Sequence, residues 1–327
     1  MCPDPDIRFV LYSNNEKQVY DHTQTDWLRQ SIWDPLKEDM FLIHGYAGGD
    51  DTLPINVLRD GTYTNKYVCF KTISHKKYIF LAYIRNGSYN TWIIDWGALG
   101  EAPCYRAAVN NLRAVARCTG EFLTGLRTAG LPTDKITCVG HSLGAHICGL
   151  ISQYVLFRLH RIVALDPARP MILNQVKLTS GDAAAVHVLH TNAGHYGEGG
   201  RNGHVDFCIN GGRIQPYCEN KNIDAQLCSH IWAICYMAES LVPTLQKKAE
   251  PCARRCPSGP RPGNRIGIPV MMGQSTPLTA AGSFCVHDSE PPYCPKNSDD
   301  IGDVRCCLNA PETNPSNPSP ASTTTQT

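Results

Sequence analysis

No hydrophobic run in the sequence approaches the ~20 residues that cross a bilayer as a helix, so no membrane-spanning helix is expected. Charge of neither sign dominates: 30 Lys and Arg stand against 29 Asp and Glu, a net +1. With no basic stripe either, electrostatic binding of nucleic acid is excluded as a main activity. The cysteines include no C-x-x-C pair, and the C-x-x-x-C of Cys252 and Cys256 lacks a matching second half, which argues against a zinc ribbon. Internal repeats are absent. An apolar leader is absent too, since Met1 runs straight into "CPDPDIRFVLYS".

What is plentiful is cysteine itself. Sixteen residues, spread from Cys2 to Cys307, predict an oxidised, disulfide-stapled, secreted protein. We therefore expect a leader that this sequence does not include. The sequon Asn86-Gly87-Ser88 agrees with that compartment.

Short β-rich runs recur: "RFVLYS" (8–13), "MFLIHG" (40–45), "TWIIDW" (91–96), "KITCVG" (135–140), "RIVALD" (161–166) and "AVHVLHT" (185–191). Several are apolar throughout rather than alternating, as in strands covered on both faces. Between them lie helical patterns at 104–130, ending on Gly130 before Pro132, and at 143–157. "GIPVMMG" and "GSFCVHD" read as late strands. Strand–helix alternation with glycine at the turns predicts an α/β fold with a mostly parallel sheet. The last stretch, 296–327, contains cysteine but is otherwise Pro/Ser/Thr-rich, with too little apolar content to fold.

"CVGHSLGAHICG" (138–149) places Ser142 between glycines, after a strand and before a helix. That is the context of a nucleophile elbow, whose tight turn needs small residues at Gly140 and Gly144. A serine hydroxyl needs a base, and the base an orienting acid. Asp166, ending an apolar strand before Pro167, is the candidate acid at the same sheet edge. The candidate bases are His187, His190, His195, His204 and His230. His187 and His190 lie within a strand and read as structural, whereas His230 follows Cys228 and opens a helix. The order Ser…Asp…His is that of α/β-hydrolases. "FLIHGYAGG" ends a strand in a loop suited to an oxyanion hole, with the N–H groups of Tyr46 and Leu143 as the assigned donors.

These pieces together, "HGY", "YNTWIIDW", "PCYRAAVNN", "VGHSLGAHICG", "ALDPARP", "HVLHT", "GHVDFCINGGRIQP" and "CSHIWAICYMAES", in this order, closely resemble the pancreatic-type lipase family, and within it the insect lipases and wasp-venom phospholipases A1. The resemblance covers about residues 8–295, and residues 1–295 read as one α/β-hydrolase catalytic domain. It implies Ser142, Asp166 and His230 as the triad. It also implies disulfides Cys2–Cys104 and Cys218–Cys228, the second closing a lid. That lid, "ENKNIDAQL", carries three formal charges and only two large apolar side chains, too few for a sizeable amphipathic flap. The neighbouring loop "NAGHYGEGGRN" (192–202) is short and glycine-rich. In the family, short versions of both go with phospholipase A1 activity; a neutral glyceride lipase is the alternative. A lipid-carrying or yolk-type homologue without catalysis is the reading from another class, disfavoured by the intact triad. Only 32 residues follow Pro295, so the family's C-terminal β-sandwich is not expected, nor a colipase-type partner. No metal or organic cofactor is needed, a monomer is expected, and the partner is a phospholipid or glyceride at a membrane or lipid-droplet surface. Activity should fall as the His230 imidazole is protonated.

One stretch departs from the family. "GTYTNKYVCFKTISHKKYIFL" (61–81) interrupts "LRDAYIRNGSYN", is basic without an acid, and adds Cys69. A GGT codon for Gly61 and a Leu81 codon ending in A would supply intron boundaries that keep the frame, so the segment reads as a retained intron; the alternative is a surface loop with an extra bridge. Cys208 and Cys235 are also unusual, and are expected to pair with each other or with Cys69.

Overall fold

The structure is a computed structural model and describes residues 2–14, 16–24, 26–48, 83, 89–219, 225–252, 256 and 267–288. Three expectations fall outside these residues: the 61–81 insert, the sequon at Asn86 and the 296–327 tail.

Among the described residues the strands are β1 (Arg8–Ser13), β2 (Glu16–Val19), β3 (Glu38–Ile43), β4 (Tyr89–Asp95), β5 (Ile136–His141), β6 (Leu159–Leu165), β7 (Ala183–His190), β8 (Val205–Ile209), β9 (Lys248–Pro251), β10 (Val270–Met271) and β11 (Gly282–Val286). The helices are α1 (Trp27–Gln30), α2 (Tyr105–Thr128), α3 (Leu143–Ile151) and α4 (Ala225–Glu239). The strands form one sheet in the order β10-β9-β11-β8-β7-β6-β5-β3-β4-β1-β2. From β4 through β3, β5, β6, β7 and β8 to β11 every pairing is parallel, while β1, β2, β9 and β10 add antiparallel edges.

The continuous apolar strands are explained by two cores, one on each face. Phe41, Ile43, Trp92, Ile94, Cys138 and Ile162 join α2 and α3 in the first. Met40, Leu42, Ile93, Val139 and Val163 turn the other way, toward Trp232 and Tyr236 of α4. Helix α2 buries Leu112, Val115, Ala116, Phe122, Leu123 and Leu126, one helical stripe. It ends where Gly130 takes φ 112° and the N–H groups of Gly130 and Leu131 bond the carbonyls of Arg127 and Leu126, a glycine-dependent stop.

The second helix is shorter than its pattern predicts, stopping at Ile151 rather than 157. Ser152 Oγ donates to the Gly149 carbonyl at 2.7 Å, and the N–H groups of Ser152, Gln153 and Tyr154 bond three residues back. The chain tightens there instead of continuing as an α-helix. Strand β2 is too polar and β9 too rich in lysine and proline for the sequence pattern to have marked them.

Five disulfides lie among the described residues, and two pairings correct the expectations. Cys2 bonds Cys118 rather than Cys104, which is free and exposed. Cys104 precedes α2, and fourteen residues of helix separate it from Cys118 by about 21 Å, so a segment crossing the buried face at Cys118 cannot reach both. Cys208 bonds Cys256 rather than Cys235 or Cys69; Cys235 is disulfide-bonded, to a partner outside the described residues. Cys252 bonds Cys285, which accounts for the unmatched C-x-x-x-C. Cys218–Cys228 forms as expected, and Cys138–Cys148 ties β5 to α3.

Candidate active site

The carboxyl ends of β3, β5, β6 and β7 converge at Ser142. This residue links β5 to α3 with φ 56° and ψ −118°, a conformation that costs roughly 1–3 kcal/mol unless its surroundings enforce it. Here they do. The Ser142 N–H donates to the Leu165 carbonyl at 3.0 Å, and its own carbonyl accepts from Ala145 at 3.2 Å and Ala168 at 3.1 Å. A Cβ on Gly140 would run into the Gly144 carbonyl, and one on Gly144 into the Ile43 carbonyl. Both glycines are therefore required by close approach, as the elbow pattern demands.

Asp166 directly follows β6, fully buried, with φ 43°. Its Oδ1 accepts the main-chain N–H groups of Thr191 and Asn192 at 2.9 and 3.0 Å. Its Oδ2 lies 2.6 Å from His230 Nδ1. An ionised carboxylate only accepts, so Nδ1 carries a proton, and in the neutral ring that leaves the lone pair on Nε2. Gly197 presses against the carboxylate so closely that a Cβ there would overlap it. The loop bearing Gly197 is drawn down by Glu198 N–H to the Pro167 carbonyl and by Arg169 N–H to the Tyr196 carbonyl, both 2.7 Å. Tyr196 lies 5.7 Å from the His230 ring between centroids.

The other candidate histidines go elsewhere. His187 is buried mid-strand with both ring nitrogens unpartnered among the described residues, and burial pushes its pKa down to about 3. His190 Nε2 meets Asp206 Oδ1 at 2.9 Å and its Nδ1 meets the Glu198 carbonyl at 3.1 Å. Both partners can accept, which favours the doubly protonated ring; burial opposes the charge, but the Asp206 hydrogen bond and field hold its pKa above the ordinary value. His204 Nδ1 accepts from the Val186 N–H at 3.0 Å, and His195 is exposed on the loop.

Sequence reasoning did not single out His141. Its Nε2 donates to the His230 carbonyl at 3.1 Å and its ring lies 4.7 Å from that of His230. Burial first, and the neighbouring His230 second, hold its pKa far below the ordinary value, so the ring is neutral. Its position beside Ser142 in the chain was the only available signal.

The loop after β3 completes the site. A Cβ on Gly45 would lie 2.8 Å from Ser142 Cβ and 3.4 Å from its Oγ. Ala47 donates to the Gly100 carbonyl at 2.8 Å and Gly48 to the Gly45 carbonyl at 3.2 Å. Among the described residues, no loop or cap hydrogen bond takes the N–H of Tyr46 or of Leu143. Tyr46 stacks edge-on against Tyr105, whose hydroxyl donates to the Pro170 carbonyl at 3.0 Å.

A parallel sheet clad by helices on both faces, with a serine on a left-handed strand-to-helix turn, defines an α/β-hydrolase fold. The profile of the Lipase family matches residues 2–256, and the chain belongs to that family. Phospholipase A1 member A of Rattus norvegicus is 33% identical over 178 residues, 53% of this chain and 39% of the relative. Human pancreatic lipase-related protein 2 is 30% identical over 234 residues, covering 67% and 45%. Pancreatic triacylglycerol lipase of Sus scrofa is 27% identical over 267 residues, covering 73% and 54%. The chain thus spans about half the length of these relatives or less.

Proposed function

We propose that this chain is a secreted serine hydrolase of lipid carboxylic esters, a phospholipase A1 releasing the sn-1 acyl chain. The observation that carries the reading is the Asp166–His230 hydrogen bond at the carboxyl edge of the sheet that also holds Ser142 in its strained turn. In this mechanism Ser142 Oγ attacks the ester carbonyl while His230 Nε2 takes its proton. Asp166 keeps the proton on Nδ1 and stabilises the imidazolium. The tetrahedral oxyanion rests on the N–H groups of Tyr46 and Leu143. His230 returns the proton to the leaving glycerol oxygen, and water then resolves the acyl-enzyme.

Preference for a phospholipid is supported by the access loops. Residues 192–202 fold back on themselves through Gly194 N–H to Gly197, Gly197 N–H to Asn192, and Tyr196 N–H to the Asn192 side chain. That loop packs onto Asp166, with Gly197 against its carboxylate. The Cys218–Cys228 segment is short, though its residues 220–224 lie outside those described. Access loops this short would leave room for a polar head group beside the scissile ester. The glyceride reading is favoured by one observation, that relatives named as pancreatic lipases align over more of the chain. Secretion is supported by the disulfides, which persist in oxidising compartments.

The deciding assay follows fatty-acid release from phosphatidylcholine labelled at sn-1 or sn-2 and from triolein, beside Ser142→Ala. Serine-dependent release from sn-1 with little from triolein supports phospholipase A1. The reverse preference makes the protein a glyceride lipase. A folded protein silent on all three would point to a lipid carrier.

A further inference from the structure

His44 is fully buried and is not part of the triad proposed above. Its tautomer is set by its neighbours. The Trp96 main-chain N–H, which can only donate, reaches Nε2 at 3.1 Å. Nε2 is therefore unprotonated, and Nδ1 carries the hydrogen that it donates to the Gly45 carbonyl at 2.8 Å. The ring is clamped on every side. It stacks on Trp96 at 5.4 Å between centroids and 6° between planes, and the Trp96 indole N–H returns to the His44 carbonyl at 3.0 Å. Gly48 lies so close over the ring that any Cβ there would strike it. Asp95 Oδ1 stands 3.4 Å from Nε2 and also accepts the Gly97 N–H at 3.0 Å, while its Oδ2 meets Arg8.

The bond to Gly45 has a consequence one atom further along the chain. The Gly45 carbonyl and the Tyr46 N–H belong to one planar trans peptide and point in opposite directions. Whatever fixes the carbonyl fixes the N–H. Gly45 itself is seated against Ser142, where a Cβ would fall 3.4 Å from Oγ, so this peptide lies beside the reacting oxygen.

We propose that His44 is a positioning residue, which holds the Gly45–Tyr46 peptide by its carbonyl and so aims the Tyr46 N–H at the oxyanion beside Ser142. The inference rests on the reading of Tyr46 as an oxyanion donor. It also gives a role to Trp96, just after β4: its main-chain N–H and indole hold a ring that follows β3, the strand between β4 and the nucleophile's β5. A donor aimed in advance stabilises the transition state more than the ground state, so its loss falls on kcat rather than on KM.

The experiment compares full-length His44→Leu, His44→Asn and His44→Gln with the parent protein and Ser142→Ala on a soluble short-chain p-nitrophenyl ester. It also measures the rate of inactivation by a p-nitrophenyl phosphonate, whose adduct presents the same oxyanion. In His44→Leu we expect kcat to fall about 10–100-fold, a fraction of the loss from deleting a donor outright, with KM within about twofold and phosphonate inactivation slowed in parallel. Asn places an amide donor at the Nδ1 position and should recover much of the rate; Gln places it at Nε2 and should not. Should His44→Leu fail to fold, the Asn and Gln pair carries the same comparison. Unchanged kcat in His44→Leu, or recovery by Gln equal to that by Asn, overturns the proposal. Activity surviving in Ser142→Ala overturns the site reading itself, an outcome distinct from failure at His44 alone.

Discussion

Asp166 Oδ2 stands 2.6 Å from His230 Nδ1, while the other oxygen of the same carboxylate is held by two main-chain N–H groups from the turn after β7. The carboxylate is thus oriented before it orients the imidazole. Asp166→Asn keeps the shape and removes the fixed acceptor, allowing the wrong tautomer of His230. We predict a fall in kcat of about 10³–10⁴ with an unchanged circular-dichroism spectrum. Loss of less than tenfold would contradict the pairing.

Gly197 offers a sharper test of the same geometry. No side chain can be added there without displacing the Asp166 carboxylate, and φ at this position is not unusual, so strain in the backbone does not confuse the outcome. Gly197→Ala should lower kcat on a short-chain ester by about 10–100-fold, the usual result of misplacing a reacting group by a fraction of an ångström to an ångström. A folded variant with full activity would show that Asp166 has freedom the structure denies it.

The strand-to-helix turn at Ser142 and the strand-end position of Asp166 were legible in the chain because they are local. A strand, a serine between glycines and a helix follow one another within "KITCVGHSLGAHICG", and "RIVALDP" places its aspartate at a strand end without help from elsewhere. His230 needed the resemblance to single it out of five histidines, since only the fold brings α4 back over β6. The disulfides were less legible, because pairing depends on where distant segments cross. Cys2 meets Cys118 through the packing of the N-terminal segment on α2, a relationship no spacing encodes. The role of Trp96 is of the same kind: "DW" reads as the end of a strand, and only the neighbouring strand β3 brings its N–H to His44. Tyr196 and Gly197 sat in a loop marked only as short.

The His190–Asp206 pair makes the folded protein sensitive to alkali. His190 has its pKa raised in the folded state, so its contribution to stability is fully present below the ordinary value of 6.5 and is lost as pH rises through the folded value. Asp206 also holds the N–H groups of Asn202 and Gly203 at 3.0 and 3.2 Å, at the end of the loop over Asp166. Urea midpoints between pH 6 and 9 should decline in the parent protein, and Asp206→Asn should be less stable at pH 6 with a flatter slope. Parallel slopes in the two proteins would remove His190 as the cause.

Buried Asp39 predicts a second pH dependence of opposite chemistry. Burial pushes its pKa up to about 7, although the indole N–H groups of Trp92 and Trp33 donate to Oδ1 at 2.8 and 3.1 Å. A carboxyl that holds its proton more tightly when folded favours the folded state at low pH, and this contribution declines as pH rises from about 4 to 7. Asp39→Asn should flatten the stability profile over that window in the same urea titrations. A profile unchanged there would assign the slope to other groups.

The bridge between Cys138 and Cys148 joins the strand before Ser142 to the helix after it. By loop closure alone, removing it as the Cys138→Ala, Cys148→Ala pair should cost about 2–3 kcal/mol of unfolding free energy. Denaturant unfolding measures this directly, and an unchanged midpoint would mean that β5 and α3 are held by packing alone.

The central claim is that Ser142 is the nucleophile. The most direct measurement is to inactivate the full-length protein with a fluorophosphonate and locate the adduct by peptide mass mapping. The account predicts a single stoichiometric adduct on Ser142, lost in Ser142→Ala and formed far more slowly in His230→Ala. An adduct on another residue, or ester hydrolysis persisting with Ser142 fully modified, would contradict it.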